Sequence, residues 1–220
     1  MQTFATTAPI TAHLDIPAGR IQFIAADRTD TTVDVRPANP AKNRDVKAAE
    51  QLEVGYADGV LHIAAPPPQN RLLGHTGSVE VTVQLPAGSH VQAKAAAAEL
   101  RGVGRLGDIA FDGADGAVKI DEAASLRLAA YGDVTVGRLT GPAEISTQKG
   151  DIRITEAVRG ALELATQKGD ITVDAAHGAS ASLDAGTGYG RISNTLTNDG
   201  TADITIHATT SHGDITARSL

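Results

Sequence analysis

The sequence predicts an all-β protein: a parallel β-solenoid with about two short strands per coil of 18–20 residues, preceded by an N-terminal β-rich capping region. Three observations predict it. Two nearly identical stretches, "STQKGDIRIT" at 146–155 and "ATQKGDITVD" at 165–174, stand nineteen positions apart (Gly169 minus Gly150). In the most regular region glycines fall at 132, 141, 150, 160, 169 and 178, in steps of 9, 9, 10, 9 and 9. Apolar residues are 41% of the 220, yet aromatics are only 3% and Trp is absent. Such a core must be built from Ile, Val, Leu and Ala, which suit repetitive β layers.

In chain order, "GRIQFIAA" at 19–26, "TTVDVRP" at 31–37, "QLEVGY" at 51–56 and "GVLHIAA" at 59–65 read as strands, with Asp58-Gly59 as a hairpin turn. "NPAKNRDVKAAEQ" at 39–51 reads as the one short helix, with Asn39 as N-cap and Pro40 at its first position. "PPPQNR" at 66–71 cannot join a sheet interior and marks a seam. The expected division is therefore an N-terminal β-rich region, residues 1–70, and a repeat region, 71–220, with one continuous domain as the alternative. Strand and turn patterning continues through "GSVEVTVQLPAGSHVQAK" at 77–94. "KAAAAEL" at 94–100 is helical by propensity, but Ala98 and Gly107 keep the nine-residue step, so it reads as a degenerate corner and strand.

Beyond residue 100, Gly-led strands recur at "GDIAF" (107–111), "GDVTV" (132–136), "GDIRI" (150–154), "GDITV" (169–173), "GRISN" (190–194) and "GDITA" (213–217). A second series, "GAVKI", "GPAEI", "GALEL", "GASASL" and "GTADITI", falls halfway between. One strand cannot bury its apolar face alone, so coils must stack, each strand pairing with its equivalent about 4.8 Å away. Stacked in sequence order, Ile109, Val134, Ile152, Ile171, Ile192 and Ile215 form one inward ladder. Ala143, Ile145, Leu162, Leu164, Leu183, Ile204 and Ile206 form the opposing wall. Glycine permits the corner and the following Asp accepts backbone N–H groups there.

The serial T-x-x-G-D-[IV] units, "VTVQLPAGSHV" and "LDIPAGRIQFIAAD" resemble a bacterial, actinobacterial-type β-strand-repeat family of unknown function labelled "putative adhesin". The resemblance covers almost the whole chain. It implies an all-β solenoid without established catalytic residues, and its label implies surface export. The first twenty residues, however, hold neither a basic segment nor an apolar run of seven, and no stretch approaches 18 apolar residues. The expectation is a cytoplasmic chain with no membrane span.

A net charge of −7 argues against a general nucleic-acid binder. With no cysteine, thiolate catalysis, disulfides and Cys-ligated metals are excluded. "GVGRLG" at 102–107 matches G-x-G-x-x-G, but a Gly corner and not a helix follows it, so it reads as turn glycines. "DGADGAVKIDE" at 112–122 lacks calcium-loop ligands at its third and fifth positions, Ala114 and Gly116. The seven histidines, at 13, 62, 75, 90, 177, 207 and 212, form no metalloprotease motif. No cofactor, metal or catalytic residue is expected.

The strongest surface feature is a corner stripe: Tyr131, Asp133, Lys149, Asp151, Lys168, Asp170, Tyr189 and Arg191. Stacking sets carboxylates about 5 Å apart, at a repulsion of roughly 1 to 4 kcal/mol that corner N–H groups or the lysines must offset. In sequence order Arg191 bridges Asp170 and Asp214 of the neighbouring coils. The chain stops at "GDITARSL", leaving the last strand unpaired as an edge for a protein partner or a second copy, through Ile215. The leading expectation is a non-catalytic structural or interaction protein. A module binding a ligand or envelope component through the corner stripe is the alternative, and a carbohydrate-active β-helix enzyme, poor in aromatic platforms, is a third.

Overall fold

The computed structural model describes residues 1–66, 77–113 and 115–220. Its elements are β1 (Gln2–Ala5), β2 (Thr11–Ala26), β3 (Asp30–Pro37), α1 (Asn43–Gln51), β4 (Glu53–Ala57), β5 (Val60–Ala64), β6 (Val79–Pro86), β7 (His90–Gly113) and β8 (Val118–Ala130). There follow β9 (Val134–Leu139), β10 (Ala143–Lys149), β11 (Ile152–Ala157), β12 (Gly160–Lys168), β13 (Ile171–Ala175), β14 (Ala181–Tyr189), β15 (Ile192–Thr195), β16 (Ile204–His212) and β17 (Ile215–Ser219). Among the described residues the chain is thus all-β with one short helix. "KAAAAEL" lies inside β7, so a tertiary register overrides its helix propensity.

Equivalent strands pair in parallel and in register: Ile152 faces Ile171, and Lys149 faces Lys168. Along each strand buried and exposed residues alternate, and the buried set forms one aliphatic core between two walls. Val134, Ile152, Ile171 and Ile215 stand in register and are at most 1% exposed, as an inward ladder requires, whereas Ile109, expected in the same ladder, is in register with Leu126 and Ala143 and so belongs to the opposite wall. β2, β7 and β8 bend through corners and serve both walls. The stack is mixed, however: β1–β3, β3–β6 and β4–β5 pair antiparallel.

Coil order in space departs from coil order in sequence at both ends. β16 lies between β12 and β14, and β17 between β13 and β15. Residues 181–195 are therefore the outermost coil, and the C-terminal coil fills the gap behind them. This overturns the expected C-terminal edge: Ile215 is 1% exposed and paired on both sides. It equally overturns Ile192 as a core position and Leu183 as part of a closed wall. Ile192 is 47% exposed and Leu183 half-buried, because no coil covers them. At the other end β2 is interleaved in the same way, between β5 and β6 on one side and β7 on the other.

The N-terminal end is capped by antiparallel strands, with β1 and β4 outermost. β3 lies antiparallel on β6, β4 on β5, and α1 packs beside β3, with Ala48, Ala49, Leu52 and Val54 against the core. Asp58 (φ 50°) and Gly59 (φ 79°) form the β4–β5 hairpin turn as expected. The helix begins later than predicted, with Lys42 at its N-cap position. Asn39 Oδ1 accepts the Ala41 N–H at 2.9 Å, so it makes a local turn ahead of the helix. Buried Asp45 secures the helix by accepting the Ser78 N–H at 3.0 Å. Of the "PPPQNR" seam, only Pro66 is among the described residues, and His75 and Ala114 also lie outside them.

Candidate functional site

The T-x-x-G-D corner is a set of bonds between coils. In each unit the Thr points inward and donates its hydroxyl to the Gly carbonyl of the preceding coil in space. Thr147 donates to Gly132, Thr166 to Gly150, Thr210 to Gly169 and Thr187 to Gly213, at 2.8, 3.1, 3.1 and 2.9 Å. The glycine is needed because coils touch there: a Cβ at Gly169 would sit on the Gly150 carbonyl oxygen, and one at Gly213 on that of Gly169.

Each Asp carboxylate accepts the backbone N–H of the residue after Gly in the next coil. Asp133 accepts from Asp151 (2.9 Å), Asp151 from Asp170 (2.8 Å), Asp170 from Asp214 (2.7 Å) and Asp214 from Arg191 (2.9 Å). These N–H groups offset the repulsion between stacked carboxylates. The ladder has a direction, and Arg191 ends it. Its guanidinium also donates to Asp214 Oδ2 at 3.0 Å. Arg191 therefore pairs with Asp214 alone; the expected bridge to Asp170 is absent because Asp214 stands between them. The Arg191 N–H, and then its guanidinium, hold the Asp214 carboxyl below the usual carboxylate range.

The structure places the eight stripe residues on this corner in the spatial order Tyr131–Lys149–Lys168–His212–Tyr189 and Asp133–Asp151–Asp170–Asp214–Arg191. It brings six of them together. Tyr189 and Arg191 are separated from Lys168 and Asp170 by His212 and Asp214. The Tyr189 and His212 rings stack, with centroids 5.0 Å apart. The sequence signal for inserting His212 and Asp214 was their T-x-x-G-D register, which Gly190 shares in part.

Two further surfaces emerge. Beyond β14 and β15 no strand pairs among the described residues, so both walls end in main-chain edges, of which the Ala181 N–H at the start of β14 is taken by the Thr197 carbonyl at 2.9 Å. Tyr189 is 75% exposed there, and Leu183, Ala185 and Leu196 are half-buried. A trough of about 600 Å³ crosses the outer face of the wall that contains β5, β2, β7, β8 and β10, between stacked His13 and His62 on one side and the Arg127–Glu144 pair on the other. Sequence reasoning missed the trough because residues from five strands meet only through the stack. No group of three or more metal-ligating side chains occurs among the described residues. No helix is long and apolar enough to cross a membrane.

The family model described as Toastrack DUF4097 matches residues 13–219. No curated protein matches the chain. Among solved structures, a "putative adhesin" from Bacteroides fragilis is similar at 16% identity and TM-score 0.58, over 98% of this chain and 95% of that one. A "putative cell adhesion protein" from Clostridium sporogenes has 14% identity and TM-score 0.39, over 100% and 98%. The first likeness shows a shared fold. The chain belongs to the Toastrack DUF4097 family.

Proposed function

We propose that this Toastrack family member is a non-catalytic interaction module, a rigid β-stack that docks a protein partner at its open end. One observation carries the reading. The N-terminal end is capped by α1 and antiparallel strands that finish in β1 and β4, while the β14–β15 end is a parallel edge that leaves Ile192 and Tyr189 uncovered. A sheet edge of this kind recruits an added strand. The repeated polar residues support the same reading, since Thr and Asp of the motif are engaged in joining coils. β2 ties residues 1–70 into the repeats, so we treat the whole as one continuous docking body with an expected seam near residue 70.

A second reading is favoured by the Tyr189–His212 stack beside Lys168: the corner binds a ligand or an envelope component. Beads carrying the protein, scored for attachment to washed bacterial envelopes, separate the two. The docking reading expects Ile192→Lys to lose attachment and Lys149→Glu with Lys168→Glu to retain it. The reverse pattern supports the corner, and attachment unaffected by either set contradicts both. The name of the Bacteroides fragilis neighbour favours a surface role. Protease treatment of intact cells tests this, since only a surface protein is digested.

A further inference from the structure

We infer that the occupant of the open end is a second copy of this chain, added antiparallel about a two-fold axis beside β14. The inference rests on the docking reading above and names the partner. Three observations carry it.

The corner ladder sets the direction of growth. Within the stack, every parallel coil finds a carboxylate to accept the N–H after its glycine. At the open end that place is held by Arg191, which offers no acceptor and is itself turned back onto Asp214. A further parallel coil would therefore lose the bond that fixes every other corner. The opposite end of another copy offers no T-x-x-G strand either. Its outer strands are β1 and β4, which pair antiparallel with their neighbours. Head-to-tail stacking is disfavoured on both counts.

Charge then selects the antiparallel arrangement. Asp184, with its side chain 84% exposed, lies toward the start of β14. Arg191, 89% exposed, lies just past its end. A parallel copy would set Arg191 against Arg191. An antiparallel copy sets the basic end of each edge against the acidic end of the other, twice, as an isologous contact requires. Between the charges the outward surface is bare. A Cβ at Gly186 would meet nothing within 4 Å, so the edges can approach closely. On the inward side, Leu183, Ala185 and Ile192 of each copy would cover those of the other, which is the burial that these positions lack in one chain.

The chain contains no cysteine, so single-cysteine reporters are unambiguous. Under mild oxidation Gly186→Cys, near the axis, is expected to form a reducible dimer. Ala165→Cys, outward-facing on the interior strand β12, is expected to stay monomeric. Light scattering over a concentration series should take the wild type from 22.5 kDa toward twice that mass. Arg191→Glu should weaken association at least tenfold, and adding Asp184→Arg should restore it, a rescue that damage to the fold would not give. A wild type that stays monomeric at high micromolar concentration, equal cross-linking at both cysteines, or a charge swap without rescue overturns the inference. Its failure leaves the docking reading standing if Ile192→Lys still abolishes envelope attachment. Cross-linked dimers with attachment unaffected by Ile192→Lys would instead remove envelope docking and keep the second copy.

Discussion

Residues 160–175 and 181–195 are two coils written in nearly the same way, each with a T-x-x-G corner and an Ile two residues beyond its glycine. In the first, Ile171 is fully buried; in the second, Ile192 is 47% exposed. The difference comes from neighbours. The coil 204–219 has entered between them, leaving the first enclosed on both sides and the second enclosed on one. A repeat motif thus specifies how a coil bonds to whatever lies beside it, without specifying which coil that is.

The sharpest way to break this comparison is to place the same charge at both positions. Ile171→Asp puts an unpaired carboxylate into a closed aliphatic stack and should cost about 4 kcal/mol or more. Ile192→Asp, half in water, should cost only about 1 kcal/mol. Urea melts of the two variants check this, and equal losses would mean that both positions are equally enclosed. The glycines give the next contrast. Gly169→Ala drives a methyl group into the Gly150 carbonyl and should cost about 2–3 kcal/mol. Gly186→Ala meets nothing, and should be neutral or stabilising by about 0.4–1 kcal/mol through the unfolded chain. Thermal melts of the pair read this directly.

The threonines sharpen the comparison further. Thr166→Val, at a threonine only 5% exposed, removes the donor to the Gly150 carbonyl and should cost about 1–3 kcal/mol. Thr187→Val, at a threonine left half-buried at the open end, should cost about 0.5 kcal/mol. The smallest effect is electrostatic. Because the Asp214 carboxyl titrates below its ordinary value of 3.8, its contribution is present above that value and is lost as pH falls through the lower folded one. Arg191→Ala removes the guanidinium but keeps the N–H, the larger cause. In an NMR titration Asp214 should therefore rise yet remain below the ordinary value.

The strand–corner rhythm was legible because glycine spacing and β alternation are local. So were the inward ladder within the interior coils and the hairpin at Asp58-Gly59. Stack order was not, because the T-x-x-G units at 187–190 and 210–213 offer the same bonds to the coil at 160–175. One signal for the outermost coil was nevertheless present. Interior coils carry paired aliphatics, Ile152 with Ile154, Ile171 with Val173, and Ile215 with Ala217. The outer coil carries Ile192 with Asn194, and Asn194 is in register with buried Ala217. A polar residue in an inward slot, next to an Arg where the ladder needs an acceptor, marks a coil with no further neighbour. The corner stripe was legible as a surface but not in its order, for the same reason. The bidentate pair of Arg218 with buried Asp174, at 2.8 and 2.9 Å, holds the last coil in its slot. It was invisible because the two residues lie 44 positions apart.

The central claim is that the C-terminal coil is inserted behind the coil that precedes it, and double-cysteine cross-linking tests it most directly. Thr172, Thr216 and Ser193 occupy equivalent positions on β13, β17 and β15, with Thr216 between the other two. In a chain free of native cysteine, Thr172→Cys with Thr216→Cys should close an intrachain disulfide under mild oxidation, and Thr172→Cys with Ser193→Cys should not. Closure of the second pair and not the first would show coils stacked in sequence order and contradict the account.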